Sequence, residues 1–237
     1  MSSLSADDLK QILDDHARWL TNEMTGSRAD LKGAQLEGIN LMNANLERAE
    51  LSGTHLNGAN LAFARLNGAD LEKAELAKAD LRGADLTITN LTRACLAGAN
   101  LADAILEGAF FDQAILEKAN LERCKLIYTS LKQACLSDVN FKQALMHCAN
   151  FTEADLKGAL LSGARLHKVI MTAADLEGSD FRGAACYECN FKGANLKNAH
   201  MKGAYLNRCL LTGAVLEGTG LRADGADSLR KIPGSGR

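Results

Sequence analysis

The sequence predicts an all-β solenoid of square coils with an N-terminal α-helical cap, and three observations carry this prediction. From Leu31 to Leu221 every fifth residue is apolar, over about 39 positions without an insertion or deletion. The position two residues earlier is alanine in about 28 of these repeats. Glycine often stands two residues after the apolar position, as at Gly33, Gly38 and Gly53. One repeat therefore fills residues 29–222.

The period of five excludes a long helix and a simple strand. A helix advances about 100° per residue, so a five-residue step would spread the leucines around its whole surface. A strand alternates its faces at every residue, so the same step would place half of the leucines in solvent. A chain that turns about 90° every five residues buries all of them. Four steps close a coil of 20 residues, and about ten coils stack at roughly 4.8 Å.

The square coil has four walls, here called the first, second, third and fourth faces. They are centred on Leu31, Leu36, Leu41 and Leu46 and on the residues that follow these at intervals of 20. Side chains 20 positions apart should stack in columns along the axis. On the third face this predicts an asparagine ladder that includes Asn40 and Asn60.

The corners between faces require a turn. Glycine at the corner supplies the positive φ of a type II turn without a steric clash. The corners that carry Lys73, Lys78, Lys118 or Arg123 are therefore expected to adopt another turn type. Proline is absent from the repeat, as expected where nearly every backbone N–H bonds to a neighbouring coil.

The repeated motif A-(D/N)-L-x-x, seen in "ADLRGADL" and "GANLADA", is similar to the pentapeptide-repeat family. The resemblance covers roughly residues 29–222. It implies a right-handed quadrilateral parallel β-helix. It does not imply a particular biochemical activity.

The two ends of the repeat differ. Residues 1–28 are predicted to form a capping helix and a linker, with the helix over residues 5–23 and a capping box between Ser5 and Asp8. Trp19 is expected to be the main plug of the first coil, and a partner-binding helix is the alternative. The tail, residues 223–237, offers little apolar cover, so a frayed tail and a homodimer through the last coil both stay open. The predicted cap residues are Leu9, Ile12, Leu13, His16, Trp19 and Leu20.

Composition excludes several classes of function. The net charge of −2 lacks the basic excess of a nucleic-acid binder, so no direct nucleic-acid contact is expected. The start "MSSLSADDLK" does not resemble a signal peptide, and no apolar run reaches the roughly 18 residues of a membrane span. A cytoplasmic protein without membrane contact is predicted, with its seven cysteines as free thiols.

The repeat leaves little room for catalysis. A core filled by leucine and alanine offers no concave substrate site, and no nucleotide, hydrolase or metalloprotease motif is present. We therefore expect no enzyme activity and no cofactor. The CxxC at Cys186 and Cys189 should point into the core, with Cys209 stacked on Cys189. His147, His167 and Cys148 could offer zinc or copper ligands, but they lack a clear fourth ligand, so no metal is expected.

The fourth face is the candidate binding surface. It carries all three tyrosines of the protein, with apolar and histidine side chains between them. Exposed apolar area and tyrosine often mark interfaces, although β-rich surfaces also tolerate such residues. Phe110, Ile170 and Leu210 on the first face could extend the surface. The predicted binding residues are Tyr128, Tyr187, Tyr205, Ile88, Ile105, Ile127, Leu145, His147 and His167.

A non-enzymatic scaffold for an unidentified protein partner is therefore the leading functional hypothesis. The alternative is a DNA-mimicking protein that interacts with DNA gyrase, as implied by the resemblance to the quinolone-resistance members of the family. Between residues 30 and 222 the chain has about 22 acidic and 21 basic side chains. A mimic of the phosphate backbone should be mostly negative, which disfavours this alternative.

Overall fold

The computed structural model describes residues 5–221. One helix, α1, spans Ala6–Leu20, and every coil after it is held by parallel β-bridges. Five short strands lie on the fourth face and form one parallel sheet in the order β1-β2-β3-β4-β5. These strands are β1 (Lys125–Ile127), β2 (Leu145–His147), β3 (Arg165–His167), β4 (Ala185–Tyr187) and β5 (Tyr205–Asn207).

The coils stack with a constant register of 20 residues, from the bridge Asp30↔Glu50 to the bridge Asn195↔Val215. Three backbone hydrogen bonds typically join a repeat to the repeat 20 residues later, in the next coil. In the first repeat, the Leu31 N–H donates to the Glu50 carbonyl at 2.8 Å, and the Glu50 N–H donates to the Ala29 carbonyl at 2.9 Å. The prediction of a parallel β-solenoid is confirmed.

The interior is a solid column of apolar side chains. Every central residue from Leu31 to Leu206 is buried, and most are fully inaccessible to solvent. Where a buried threonine replaces alanine, at Thr54, Thr89 and Thr129, its hydroxyl donates to a carbonyl of the preceding coil, as from Thr89 Oγ1 to Leu66 O at 2.8 Å. The hydroxyls of Thr54, Thr89 and Thr129 are thus paired inside the core.

The corners differ from the expectation in one respect. Lys73, Lys78, Lys118 and Arg123 have φ between 56° and 59°, close to the 62° of Gly33. The prediction of another turn type was wrong, because stacking of the coils imposes a left-handed backbone at these corners whichever residue occupies them. The asparagine ladder is confirmed, since Asn60 Nδ2 donates to Asn40 Oδ1 at 3.1 Å.

The corners that follow β1 to β5 are more open than the others. Elsewhere the corner is closed by a turn hydrogen bond, such as that from the Ala34 N–H to the Leu31 carbonyl at 3.0 Å. Among residues 5–221, the corners after these five strands have no such bond. The fourth face is therefore more strand-like in its C-terminal half.

Helix α1 covers the first coil. Ser5 and Asp8 form the predicted capping box. Leu9 and His16 are buried, and the Ala29 N–H donates to His16 Nδ1 at 3.1 Å, which ties the helix to the solenoid. Ile12 and Leu13 pack against the core, whereas Leu20 is half-buried.

Trp19 does not plug the coil as expected. It is half-buried and stacks on the His16 ring with centroids 5.6 Å apart. The deepest side chain at this end is His16, because its Nδ1 satisfies a backbone N–H that a tryptophan could not. At the other end Leu216 and Leu221 are half-buried, and the predicted tail lies outside the described residues.

Candidate interaction face

A column of stacked rings runs along the fourth face. The strand register places Ile127, His147, His167, Tyr187 and Asn207 directly above one another. The column forms because residues 20 positions apart in the sequence occupy the same place in successive coils. The spacing in the sequence therefore aligns these side chains. We call the segment from His147 to Tyr187 the ring column.

The ring column is tightly packed. The His147 and His167 rings are nearly parallel, with centroids 4.8 Å apart, and Tyr187 stacks on His167 at 5.3 Å. Tyr128 closes the other end, edge-on to His147 at 5.6 Å. Such offset and edge-to-face pairs are favourable arrangements of aromatic rings. The predicted proximity of the two histidines is therefore observed.

The two histidines share one hydrogen bond. Their Nδ1 atoms are 2.8 Å apart, so one ring must carry the Nδ1 proton while the other ring accepts it. Within residues 5–221, His, Cys, Asp and Glu side chains form no group of three or more that could hold a metal ion. The histidine pair is a packed element of the wall in this structure.

Charged side chains border the C-terminal end of the ring column. The Arg208 guanidinium carbon lies 5.9 Å from the centre of the Tyr187 ring, and Arg208 Nη1 is 3.3 Å from the tyrosine hydroxyl. Glu188 forms ion pairs with both Lys168 and Arg208. The sequence analysis missed Arg208 and Glu188, although their 20-residue spacing indicates that they stack.

Apolar side chains cluster where the fourth face meets the first. Ile88 and Tyr128 stand on the same corner column, 61% and 62% exposed, with Gly108 between them. Ile105 and Ile127 lie beside them on the fourth face and are half-buried. Exposed Phe110 follows Gly108 around the corner. We call Ile88, Ile105, Phe110, Ile127 and Tyr128 the central apolar cluster.

Gly108 makes a notch in this cluster. A Cβ atom at this position would lie 3.1 Å from Ile88 Cγ2, so the glycine lets the isoleucine lean over it. Ile88 itself has φ of 50°, a conformation that is costly for a β-branched residue. The corner imposes the same backbone on the exposed Phe63 (φ 58°) and Tyr128 (φ 55°), so the strain at Ile88 belongs to the coil and does not by itself mark a site.

The remaining predicted residues of the face are dispersed. Leu145 and Tyr205 are exposed on strands β2 and β5, at the ends of their strands rather than in the ring column. Ile170 and Leu210 are exposed on the first face. Five exposed apolar side chains of the described residues outside this region were not singled out from the sequence: Met24, Met42, Phe63, Ile115 and Val215.

The cysteines in the core are poorly placed for chemistry. Cys186, Cys189 and Cys209 are buried, as the sequence predicts for the CxxC and its neighbour. Contact with Cys186 and burial raise the pKa of Cys189 to about 12, and contact with Cys189 and burial raise that of Cys209. Burial also raises the pKa of Cys124 to about 12. The thiolate, which is the reactive form of cysteine, is disfavoured at Cys124, Cys189 and Cys209 because the pKa of each is raised.

The repeat in the sequence matches a known family. The family described as pentapeptide repeats matches in eight copies, over residues 27–61, 54–93, 94–126, 104–143, 144–184 and 189–222. The chain belongs to the pentapeptide repeat family. The predicted resemblance is thereby confirmed.

Solved structures of pentapeptide repeat proteins are similar to the chain. HetL from the cyanobacterium Nostoc sp. strain PCC 7120, a protein involved in the regulation of heterocyst differentiation, is 32% identical, with a TM-score of 0.52. The match covers 86% of this chain and 93% of HetL. Full-length QnrB1, a plasmid-mediated fluoroquinolone resistance protein, is 19% identical, with a TM-score of 0.44, over 82% of this chain and 90% of its own.

No curated protein matches the chain. In residues 5–221, no helix has the length and apolar character needed to cross a membrane.

Proposed function

We propose that this pentapeptide repeat protein is a non-enzymatic binding solenoid that presents its fourth face to a protein partner. The observation that carries the proposal is the central apolar cluster, whose Ile88, Phe110 and Tyr128 are each about half exposed or more. Exposed apolar side chains grouped on one part of a surface are typical of interfaces. The ring column beside them supplies side chains already held by stacking, which reduces the entropy lost on binding.

The filled interior favours binding over catalysis. The central and alanine positions are buried throughout residues 46–210, so reactive side chains there can act only from a convex wall. Substrate sites are usually concave, because a cavity surrounds the substrate and excludes water. The likeness to HetL, which takes part in a regulatory process, supports a role in regulation through binding.

A capture experiment tests the proposal. The wild-type protein and the variant Tyr128→Ser/Leu145→Ser/Tyr187→Ser are immobilised and exposed to lysate of the source cell. We expect a protein that binds the wild type and is lost from the variant, because the substitutions remove the large side chains of the face. Bound proteins are identified by mass spectrometry.

The matched control removes three exposed apolar side chains elsewhere, in the variant Met42→Ser/Phe63→Ser/Ile115→Ser. It should retain the captured protein. Circular dichroism melting curves establish that both variants fold. Equal capture by the wild type and the fourth-face variant would contradict the assignment of this face.

The DNA-mimicking alternative stays a prediction, and a supercoiling assay addresses it. Purified protein at micromolar concentration is added to DNA gyrase with and without a quinolone. Unchanged supercoiling and unchanged quinolone-induced cleavage would exclude this alternative.

A further inference from the structure

Charge is segregated along the axis of the solenoid. Residues 29–124 contain nine Lys or Arg and fourteen Asp or Glu, a net charge of −5. Residues 125–210 contain eleven Lys or Arg and seven Asp or Glu, a net charge of +4. The near-neutral total of the whole chain therefore conceals an acidic half and a basic half of almost equal length.

The segregation is sharpest on the first and fourth faces. Many charged side chains there have no ion-pair partner within residues 5–221. In the N-terminal half all of these except Arg93 are acidic, and in the C-terminal half all except Glu153 are basic. The acidic ones are Asp30, Asp70, Asp85, Glu107 and Asp112, and the basic ones are Lys125, Lys132, Arg165 and Lys192.

The central apolar cluster lies where the charge changes sign. Its members fall between residues 88 and 128, and the change from acidic to basic falls at residues 124 and 125. The two faces thus present a central region in which the apolar cluster is accompanied by Glu107, Asp112 and Lys125. An acidic flank (Asp30, Asp70, Asp85) lies before it and a basic flank (Lys132, Arg165, Lys192) lies after it. Interfaces between proteins commonly have an apolar core and a polar rim.

This arrangement is self-complementary under a two-fold axis. An axis that lies in the interface and is perpendicular to the solenoid reverses the direction of the second copy but keeps each face opposite itself. The apolar clusters then meet at the centre, and each acidic flank faces a basic flank. Isologous dimers require this relation, in which one patch serves both subunits.

We propose that the fourth face and the adjoining first face bind a second copy of this chain, packed antiparallel through the central apolar cluster. The inference rests on the proposed function, because it uses the same face and names the partner. Ile88 and Tyr128, each more than half exposed, offer apolar surface to the second copy at this corner. The acidic and basic flanks set the antiparallel direction, since a parallel pair would oppose like charges.

Charge reversal in two complementary variants tests the dimer. Variant one carries Arg165→Glu and Lys192→Glu, which makes its basic flank acidic. Variant two carries Asp30→Lys and Asp85→Lys, which makes its acidic flank basic. Sedimentation velocity of purified protein, over a range of concentrations in about 50 mM salt and in about 500 mM salt, measures the dissociation constant.

We expect the wild type to dimerise in low salt and to dissociate at least about tenfold more readily in high salt, because salt screens exposed charges. Each variant alone should be a monomer, since like charges now face each other. An equimolar mixture of the two should form a heterodimer, because every acidic flank again meets a basic one. This rescue also establishes that both variants are folded.

Two controls locate the interface. The variant Lys142→Glu/Lys202→Glu makes the same charge change on the third face and should dimerise like the wild type. Tyr128→Ser should weaken the dimer without a change in folding.

A wild type that is monomeric at every concentration would overturn the inference. So would a dimer that survives both charge reversals, or a mixture that stays monomeric. Each of these results leaves the capture experiment above to decide whether the face binds a different protein, so the two proposals can fail separately.

Discussion

The interior and the outer corner of the same coils obey opposite rules. At the centre of the wall, Leu86 and Leu106 repeat one residue type, and each fills the space above the one before. At the corner, Gly68, Ile88, Gly108 and Tyr128 alternate between no side chain and a large one. The difference teaches that the repeat specifies the shape of this protein, whereas the residues that vary between coils determine the chemistry of its surface.

The largest effect is expected when one leucine of the interior and one leucine of the outer wall are truncated separately. Leu106→Ala should lower the free energy of unfolding by about 2–5 kcal/mol, because it leaves a cavity in a column that cannot collapse around it. Leu145→Ala, on the exposed side of the fourth face, should change it by about 0.5 kcal/mol or less. Equilibrium unfolding in urea measures both. Equal losses would show that the interior is no more tightly constrained than the wall.

A second test breaks the rule at the corner. Ile88→Gly should raise the free energy of unfolding by about 1 kcal/mol, because glycine adopts the positive φ at this corner without strain. The same substitution should weaken binding through the face, since the side chain is lost.

Ile88→Ala provides the control for the second test, because it removes the branched side chain but keeps a Cβ atom at positive φ. It should weaken binding similarly and stabilise the fold less. Loss of stability in Ile88→Gly would mean that the isoleucine contributes packing that outweighs its backbone strain.

The smallest expected effect lies at the N-terminal cap. Burial lowers the pKa of His16, an effect partly opposed by the Glu47 backbone. The neutral ring is therefore favoured in the folded state, and its stabilising contribution is present above the ordinary value of about 6.5 and lost as pH falls through the lowered pKa. Protonation also removes the acceptor for the Ala29 N–H. We expect α1 to loosen below about pH 6.5, while the coils stay folded.

Trp19 is the single tryptophan of the chain and stacks on His16, so its fluorescence reports this change. A titration from pH 8 to pH 4 should show a transition in the wild type. His16→Gln keeps a hydrogen-bond acceptor but does not titrate in this range, and its fluorescence should stay constant. The same transition in both proteins would place the titrating group elsewhere.

The fold could be predicted from sequence because a five-residue period has few structural solutions, and the 20-residue register then determines which side chains are neighbours. The stacking of His147 on His167 followed directly. The turn at Lys73 did not, because the backbone of a corner depends on the coils above and below it rather than on the residue itself. The deep burial of His16 was not predicted, because a pattern of apolar residues carries no information about its hydrogen bond to the Ala29 N–H.

The candidate surface was only partly predictable. Exposure of Ile88 and Tyr128 follows from their corner positions, but the strained φ of Ile88 and the contact of Arg208 with Tyr187 depend on coordinates. The spacing in the sequence predicts which side chains are neighbours in adjacent coils. It does not predict how those side chains are oriented.

The uninterrupted register also makes the solenoid a graduated ruler. Each 20 residues of chain advance the axis by one step of roughly 4.8 Å, so Ile88 and Tyr128 stand about two graduations apart. Removing or adding one whole coil would change the distance between two surface features by one graduation and leave every face in place. A chain of this kind can therefore adjust its length to a partner in fixed increments without redesign of its cross-section.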